Sequence, residues 1–538
     1  MTNETAHAAR DALGTTTSSF TALSGAYYLA AFLAAAYGLW KLFFDRPALP
    51  KNAPRAWTAH DWPVVGSTLA FYGRRRDMVM EAIRGVGRRN FSFYLGKKIV
   101  VCLSGEEGRK SFYDNRELNF SAGFVELLVG MPFTQQAEAQ EGEWARYFNK
   151  TLLTLMRQEA LERRLPVLCN DAINLCDKLA AATPSEADPE WSVTDAFDSI
   201  YCLISQMLSR IVGATEIADD PVLTRKLNHI FERFEASTST TSIIFPWLRV
   251  ATPAFFLRMV LGTKLYMMFQ KIIQDREKTG RREDDALQWL LDQRTPLETI
   301  IKFQISAVWA ALLTTGANGT WHLVMFAQHP DWQSRCRTEI ERVIASHRTS
   351  PDQSARDVLA SLTLAEWESE FPVVNACLRE SMRITLPGAV FRRNISDHDI
   401  PIGNSGEVIP PGAFAAYHLE DVHFDPELYP EPYTYDPGRF LGEGDRIGKA
   451  GGPHSFVGWG SGRHPCLGTR LAKLEITILT AYFLAAFEYE LSHKDGSTHP
   501  VPTPVIDRNK HTACKSDVPV YIRYKPRREV VGNGAAKE

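Results

Sequence analysis

The chain has 538 residues, of which 45% are hydrophobic and 23% are charged. This balance supports a large buried core and excludes an intrinsically disordered protein. The net charge is −3, from 60 basic and 63 acidic residues without a long basic run, so the composition excludes a typical nucleic-acid-binding protein.

An uncharged segment follows the first residues of the chain. No Asp, Glu, Lys or Arg lies between Asp11 and Lys41, and the stretch 23–44 matches the roughly 20 residues that a helix needs to cross a bilayer. The charged residues before it do not resemble a signal peptide, and its apolarity on all sides disfavours a buried helix. We therefore predict a lumenal tail at 1–22, a transmembrane anchor at 23–44 and, because basic residues follow, a cytosolic downstream chain.

Prolines punctuate residues 45–66, where they oppose helix formation and predict a stiff, extended hinge. Helical periodicity dominates from about Gln135 to Ile384, with no second linker and no repeat. This pattern predicts one mostly α domain with small β-sheets over 67–527, followed by a disordered tail at 528–538. Strand-like patterns are short, and cover 93–95, 98–103, 408–409, 414–417 and 518–524.

A charged pair interrupts an otherwise apolar predicted helix. Glu380 and Arg383 lie three residues apart, and hence on one helix face. A surface ion pair is the commoner outcome of this spacing, but the apolar flanks predict a buried pair, which needs further partners to offset its desolvation. Arg439, in the segment from Tyr435 to Phe440, is the candidate partner.

The most informative motif is WGSGRHPCLG, from Trp459 to Gly468. Cys466 precedes a predicted helix, and free N–H groups and the helix dipole at such an N-terminus favour a thiolate. Glycines such as Gly460 let the backbone approach a flat partner closely. A thiolate presented in this way suits an axial ligand of haem iron, and an ordinary buried cysteine is the alternative. The other cysteines form no CxxC pair, which argues against a structural zinc site and against a disulfide framework.

This motif resembles the cytochrome P-450 superfamily, whose signature contains a Phe, spaced glycines, a basic residue, the ligand Cys and a Gly. Trp459 stands at the Phe position, and His464 stands at the basic position, as in the sterol-demethylase branch. The resemblance implies a large helical haem-thiolate domain that binds haem b, with Cys466 as the metal ligand and with Trp459 and Gly460 beside the cofactor.

The resemblance also assigns supporting residues. The structural triad behind the haem is Glu380, Arg383 and Arg439. Arg393 matches the family's propionate-binding arginine, with Arg392 as the nearer alternative, and His464 is the second candidate. A third contact comes in the family from a WxxxR helix, in which Trp144 is present here but Phe148 occupies the arginine position.

The segment from Ala310 to Thr315 resembles the family's oxygen-binding helix. The family pattern has Gly second, an acid fourth and Thr fifth, whereas this chain has Ala311, Leu313 and Thr314. The branch of sterol and bile-acid hydroxylases and prostacyclin synthase departs from the pattern in a similar way. The threonine that hydrogen-bonds near bound dioxygen is thus implied to be Thr314, while the acid that helps to deliver protons is missing.

Asn318, together with an ordered water, is our candidate for replacing the missing carboxylate in the proton relay to Thr314. It follows Thr314 by four residues and shares its helix face. We expect Gly316 and Gly319 to weaken the helix and to admit a water that relays protons together with Asn318. The alternative is that Asn318 only caps a local kink.

These features predict a haem-thiolate monooxygenase in the endoplasmic reticulum membrane that receives electrons from NADPH through NADPH-cytochrome reductase. The apolar segments 124–133 and 231–256 suit a lipophilic substrate such as a terpenoid, a sterol or another secondary metabolite. Leu313 favours one alternative, a reductase-independent peroxide isomerase or dehydratase of the prostacyclin-synthase type. The other alternative is a non-enzymatic haem-binding protein.

Overall fold

The computed structural model describes residues 27–38, 40–41, 44–87, 90–129, 135–185, 188–237, 240–442 and 452–527. The tails predicted at 1–22 and 528–538 lie outside these residues, and the predicted anchor at 23–44 is described only in part. Within it, Tyr27–Gly38 form an apolar helix whose residues are all exposed. Of the described helices, Leu297–Gln328 alone is long and apolar enough to cross a bilayer, but 56% of its most apolar window is buried. Such burial is typical of a core helix.

The prediction of a mostly helical fold is confirmed, since the described residues contain twenty α-helices. In chain order they are α1 Tyr27–Gly38, α2 Thr68–Gly73, α3 Arg75–Val86, α4 Gly105–Asp114, α5 Phe120–Phe124, α6 Gln135–Leu155, α7 Gln158–Ala180, α8 Ala196–Val212, α9 Thr215–Asp219, α10 Pro221–Ala236, α11 Thr240–Ile244, α12 Pro253–Thr279, α13 Ala286–Asp292, α14 Leu297–Gln328, α15 Pro330–His347, α16 Ala355–Ser361, α17 Leu364–Ser369, α18 Pro372–Thr385, α19 Leu419–His423 and α20 Thr469–Ala486. Side-chain caps explain where several of these helices begin. Asp195, for example, accepts hydrogen bonds from the first backbone N–H groups of α8.

The described strands form small sheets. They are β1 Phe91–Leu95, β2 Lys98–Leu103, β3 Leu118–Asn119, β4 Ser192–Asp195, β5 Ala389–Asn394, β6 Ile400–Pro401, β7 Val408–Ile409, β8 Phe414–His418, β9 Gly460–Ser461, β10 His464–Pro465, β11 Phe487–Ser492 and β12 Tyr521–Pro526. The largest sheet has the order β1-β2-β8-β5-β3, and a second has the order β11-β12-β4.

All five strand-like patterns fall on observed strands, although the pattern at 518–524 forms a strand only from Tyr521. The sequence does not predict β5, because its residues AVFRRN lack an apolar alternation. Pairing with β8 on one side and β3 on the other makes this segment a strand.

Helix α14 is the centre of the molecule. It packs against α8, α18 and α20, and most of its residues from Leu312 onwards are buried. The expected weakening at Gly316 and Gly319 is not seen in α14, which is helical from Leu297 to Gln328. A Cβ atom on Gly316 would lie 2.7 Å from two ring carbons of Tyr201 on α8. Gly316 therefore serves the close approach of two helices.

Candidate active site

Cys466 is presented by a tight hairpin directly before α20. Strands β9 and β10 pair antiparallel, and the Cys466 N–H donates to the Trp459 carbonyl at 2.6 Å. At the helix start, the Thr469 hydroxyl donates to the Cys466 carbonyl at 2.8 Å. All eight cysteines are free, and Cys466 alone is exposed. The hairpin thus holds one exposed thiol close to a helix N-terminus.

Glycines make this hairpin possible. Gly460 and Gly462 have φ values of 65° and 59°, in the left-handed region that disfavours other residues. A Cβ atom on Gly460 would lie 2.7 Å from the His464 carbonyl oxygen, and one on Gly462 would collide with the Tyr113 carbonyl. Beside them, Trp459 is half-buried, and its indole N–H has no hydrogen-bond partner among the described residues.

The charged triad lies in the core. Arg383 donates to both oxygens of Glu380, at 2.7 and 2.8 Å, and both side chains are fully buried. Arg439 Nε lies 3.4 Å from the Glu380 carboxylate, which also accepts the Asp436 N–H at 2.8 Å. The remaining Arg383 donors reach backbone carbonyls, including that of Pro432 at 2.7 Å. This network supplies the partners that a buried ion pair needs.

His423 connects this triad to the cysteine hairpin, and sequence reasoning missed it. Arg383 Nη1 donates to the His423 carbonyl at 2.7 Å, and the Val457 N–H donates to His423 Nε2 at 3.1 Å. Burial, aided by the charge of Arg383, lowers the pKa of His423 to about 3, so the ring is neutral and can accept. The ring also stacks on Phe456, with centroids 5.3 Å apart. No local motif marks this histidine, because its partners lie 40 and 34 residues away.

Arg392 and Arg393 point to opposite sides of β5. Arg392 is buried, donates to the Phe112 and Tyr113 carbonyls, and leaves its Nε without a hydrogen bond among the described residues. Arg393 is 30% exposed in its side chain and pairs with Glu126 at 3.1 Å. The structure therefore places the first candidate for the propionate contact, Arg393, away from the hairpin and its alternative, Arg392, beside it.

His464 lies next to this buried cation. Burial and the positive charges of Arg392 and Arg463 lower the pKa of His464 to about 4. The His464 side chain is exposed on β10 and can offer an N–H donor. The positive charge at this place comes from the two arginines, and the sequence did not point to Arg463.

One stripe of α14 is accessible on an otherwise buried helix. Ala310 is exposed, and Trp309, Leu313 and Thr314 are half-buried. The Thr314 hydroxyl donates to the Ala310 and Ala311 carbonyls at 3.2 and 3.3 Å. These residues share one helix face.

Asn318 follows Thr314 by one helical turn. Its side chain is 5% exposed, and its Oδ1 atom has no hydrogen-bond partner among the described residues. A buried amide oxygen of this kind usually has a water partner.

An aromatic chain joins this stripe to the cysteine hairpin. The His464 ring stacks on Phe120 at 5.5 Å, Phe120 stacks on Phe124 at 5.6 Å, and Phe124 meets Trp309 edge-on at 6.2 Å. Phe120 and Phe124 are four residues apart on α5, so both project from one helix face. These ring contacts therefore connect the hairpin to the stripe of α14.

Trp144 lies on α6 and packs beside α14. Its ring contacts the Lys302 ammonium at 4.1 Å, while Phe148 packs on Phe303 of α14 at 5.3 Å. Arg146 is exposed and donates to the carbonyl of Gly142 on its own helix. Among the described residues, the hydrogen bonds and ring contacts of Trp144, Arg146 and Phe148 do not reach the cysteine hairpin.

The donor set fits a haem. An accessible thiol before a helix can ligate iron, and a glycine hairpin admits a flat ring. The buried, partly unpaired guanidinium of Arg392, with Arg463 and the unpaired indole N–H of Trp459, suits two carboxylate groups.

Comparison with known proteins supports this interpretation. The family model described as cytochrome P450 matches residues 56–512. The chain is 33% identical to the cytochrome P450 monooxygenase AacuE of Aspergillus aculeatus over 90% of this chain and 95% of that protein. It is 26% identical to a sterol 14-demethylase of Arabidopsis thaliana over 90% of this chain and 94% of that protein. The fold is similar to that of retinoic acid-bound cyanobacterial CYP120A1, with a TM-score of 0.65 at 19% identity, covering 89% of this chain and 100% of that chain.

Proposed function

The chain belongs to the cytochrome P450 family of monooxygenases, and we propose that it is a membrane-anchored haem-thiolate enzyme that oxidises a lipophilic secondary metabolite. The observation that carries the proposal is the exposed thiol of Cys466 in a glycine hairpin before α20. The similarity to fungal monooxygenases favours a secondary metabolite as the substrate. The similarity to sterol demethylases makes a sterol the alternative substrate.

The cofactor is held by a small set of residues in this proposal. Cys466 ligates the iron of haem b, and Arg392 and Arg463 balance the two propionates while His464 donates one hydrogen bond. Bound there, haem supplies the reductive activation of dioxygen and the insertion of one oxygen atom into the substrate. Arg392 replaces Arg393 in this role, because Arg393 faces Glu126 on the other side of β5.

The protein also sits at a membrane in this proposal. Every residue of α1 is exposed and most are apolar, which a bilayer would cover. The hinge at 45–66 is docked on the catalytic domain at 67–527: the Trp57 N–H donates to the Ser92 carbonyl at 2.7 Å, and the Ser92 N–H donates to the Arg55 carbonyl at 3.0 Å. A docked hinge would hold the domain at a defined height on the cytosolic side of the endoplasmic reticulum membrane, where NADPH-cytochrome reductase supplies electrons.

Spectroscopy of the full-length protein tests the central assignment. After reduction under carbon monoxide, the wild type and Cys514→Ser should show the strongly red-shifted Soret band of thiolate-ligated haem, and Cys466→Ser should lose it. Cys514 is a fair control because it is half-buried and free. A band that persists in Cys466→Ser would refute the ligand assignment.

Leu313 in the acid position favours a second candidate, a peroxide isomerase or dehydratase that needs no reductase. The two functions differ in stoichiometry. The monooxygenase consumes NADPH and dioxygen with each product molecule when reductase is present, whereas the isomerase converts its peroxide substrate without either.

In the monooxygenase, Thr314 and Asn318 handle protons. Asn318 Oδ1 accepts a hydrogen bond from one ordered water, and this water delivers protons to the oxygen of the Thr314 hydroxyl, whose own proton is donated to the Ala310 carbonyl. We expect Asn318→Leu to keep haem content and substrate affinity but to divert electrons from product to hydrogen peroxide. The ratio of product to NADPH consumed measures this effect, and an unchanged ratio would refute the relay.

A further inference from the structure

Arg75, the first residue of α3, is a buried cation without an anionic partner. Its side chain is fully buried, and its Nε, Nη1 and Nη2 atoms have no hydrogen-bond partner among the described residues. Burial lowers its pKa to about 10, which leaves the guanidinium charged at neutral pH. The positive end of the α3 dipole lies at the same place, so Arg75 adds a charge where a cation is already unfavourable.

Aromatic rings around Arg75 compensate only part of this cost. Its Cζ atom lies 4.6 Å from the ring centroid of Phe71, 5.5 Å from that of Tyr72 and 5.3 Å from that of Phe391. Such cation–π contacts attract the charge, but they accept no hydrogen bonds in the plane of the guanidinium. Buried N–H donors without acceptors still cost free energy, so the rings hold Arg75 without satisfying it.

The buried carboxylate of Glu420, beside α3, already has two other arginine partners. It accepts hydrogen bonds from Arg76 Nε at 2.8 Å and from Arg508 Nη1 at 3.1 Å. Among the described residues, neither Glu420 nor any other carboxylate accepts a hydrogen bond from Arg75. The anion that would balance Arg75 must therefore come from elsewhere.

His418 presents a second unpaired donor on the sheet face that Arg75 covers. In the pairing of β5 with β8, His418 lies opposite Ala389, and Phe391 follows two residues later on the same face. The guanidinium of Arg75 lies over Phe391. His418 is 1% exposed, and its Nδ1 atom accepts the Glu420 N–H at 3.3 Å. Its Nε2 atom therefore carries the proton, and it has no partner among the described residues.

His511 reaches the same place from the C-terminal part of the chain. A Cβ atom on Gly388, next to β5, would collide with the His511 carbonyl, and the His511 ring meets the Tyr72 ring edge-on at 5.9 Å. Its Nδ1 atom is also buried without a partner among the described residues. Burial, aided by the charge of Arg75, lowers the pKa of His418 to about 4 and that of His511 to about 3. Both rings are thus neutral at neutral pH, and Arg75 carries the charge of this cluster.

We propose that Arg75, His418 and His511 bind one monovalent anion, a small carboxylate or a halide, between α3 and the face of β5 and β8. The planar guanidinium suits a carboxylate, and the His418 N–H adds a further donor. One negative charge balances Arg75, whereas a dianion such as sulfate would leave an uncompensated buried charge. Arg392 lies on the opposite face of β5, so this site is separate from the proposed haem contact and independent of the proposed reaction.

Equilibrium dialysis of the full-length, haem-loaded protein in nanodiscs measures this anion directly, with empty nanodiscs as the blank. The probes are radiolabelled formate and radiolabelled chloride in sodium gluconate at constant ionic strength, because gluconate is too bulky for a buried site. The wild type should bind one equivalent of either probe, and each probe should displace the other. Sodium sulfate at the same ionic strength should displace neither.

Two variants of α3 separate the buried site from general salt effects. Arg75→Gln removes the charge and should weaken the binding of both probes at least about tenfold. Arg84→Gln removes an exposed arginine of the same helix and should bind both probes as the wild type does. If Arg75→Gln does not fold, His418→Phe takes its place and should weaken binding about threefold or more, because one donor is lost.

Three results would overturn the inference. They are an absence of saturable binding in the wild type, equal binding by Arg75→Gln and Arg84→Gln, and displacement of formate by sulfate as strong as that by chloride. A missing thiolate Soret band would instead refute the proposed function, since the dialysis measures a site on the other face of β5.

Discussion

Two neighbouring arginines show how one residue position changes the role of a side chain. Arg392 is buried beside the cysteine hairpin, and burial lowers its pKa to about 10, which leaves it charged at neutral pH. Among the described residues no carboxylate pairs with it. Arg393, one position later, already has Glu126 as its partner. A buried cation without an anion favours an anionic ligand, and a cation with a partner does not need one.

Arg392 and Arg393 provide a matched pair of variants for an experiment on haem retention. We expect Arg392→Ala to raise the rate of haem transfer to apomyoglobin about tenfold or more, because a buried charge contact to the cofactor is lost. Arg393→Ala should have little effect, since a partly exposed ion pair contributes at most about 1 kcal/mol. Arg392→Lys keeps the charge and should restore most of the retention. A larger loss in Arg393→Ala than in Arg392→Ala would return the role to Arg393.

At the scale of elements, the packing of α14 on α8 explains a glycine that sequence alone misread. Tyr201 on α8 is 1% exposed. The Lys515 ammonium lies 3.9 Å from the centroid of its ring, and Gly316 also lies against this ring, so the ring has little room to move. Gly316 leaves room for this ring without breaking α14. Helix α14 is therefore positioned by a close helix–helix contact.

Alanine substitutions separate the packing role of a glycine from its helix propensity. Gly316→Ala should lower the melting temperature, because forcing a methyl group against Tyr201 costs about 1–3 kcal/mol and outweighs a propensity gain of about 1 kcal/mol. Gly262→Ala, on α12 with no atom within 4 Å of its new Cβ, should raise it slightly. Scanning calorimetry measures both. A rise for Gly316→Ala equal to that for Gly262→Ala would show that Tyr201 does not restrict this site.

For the whole molecule, neutral buried histidines link stability to pH. Burial lowers the pKa of His322 to about 3, of His418 to about 4 and of His423 to about 3. The unfolded chain binds these protons near pH 6.5, whereas the folded chain binds them only well below that value. Their contribution to stability is thus fully present above pH 6.5 and is lost as the pH falls towards 3 to 4.

We expect the free energy of unfolding to fall between pH 6.5 and pH 5, by up to about 1.4 kcal/mol per pH unit for each of these histidines. Burial raises the pKa of the Glu475 carboxyl well above its usual value, which opposes this slope, so the difference between the wild type and a histidine variant isolates the histidine. His322→Phe should reduce the slope of the unfolding free energy against pH by the contribution of one histidine, up to about 1.4 kcal/mol per pH unit. Urea unfolding at pH 7.5, 6.5, 5.75 and 5 measures it, and a stability that is constant or rises over this range would contradict the prediction.

The sequence by itself determined those features whose residues are close in the chain. Cys466 directly before a helix, Glu380 and Arg383 on one helix face and the mostly helical fold all follow from the 3.6-residue period and from local glycine chemistry. Because such features depend on neighbours within a few residues, they can be read without the fold.

Only the tertiary structure decided which side chains meet across long stretches of chain. The direction of Arg392 depends on how β5 pairs with β8 and β3, and a short strand does not encode which of its faces turns inward. The link through His423 joins residues 40 and 34 positions apart in the chain. Such contacts form only when separate elements pack, and this packing follows from the burial of many residues together.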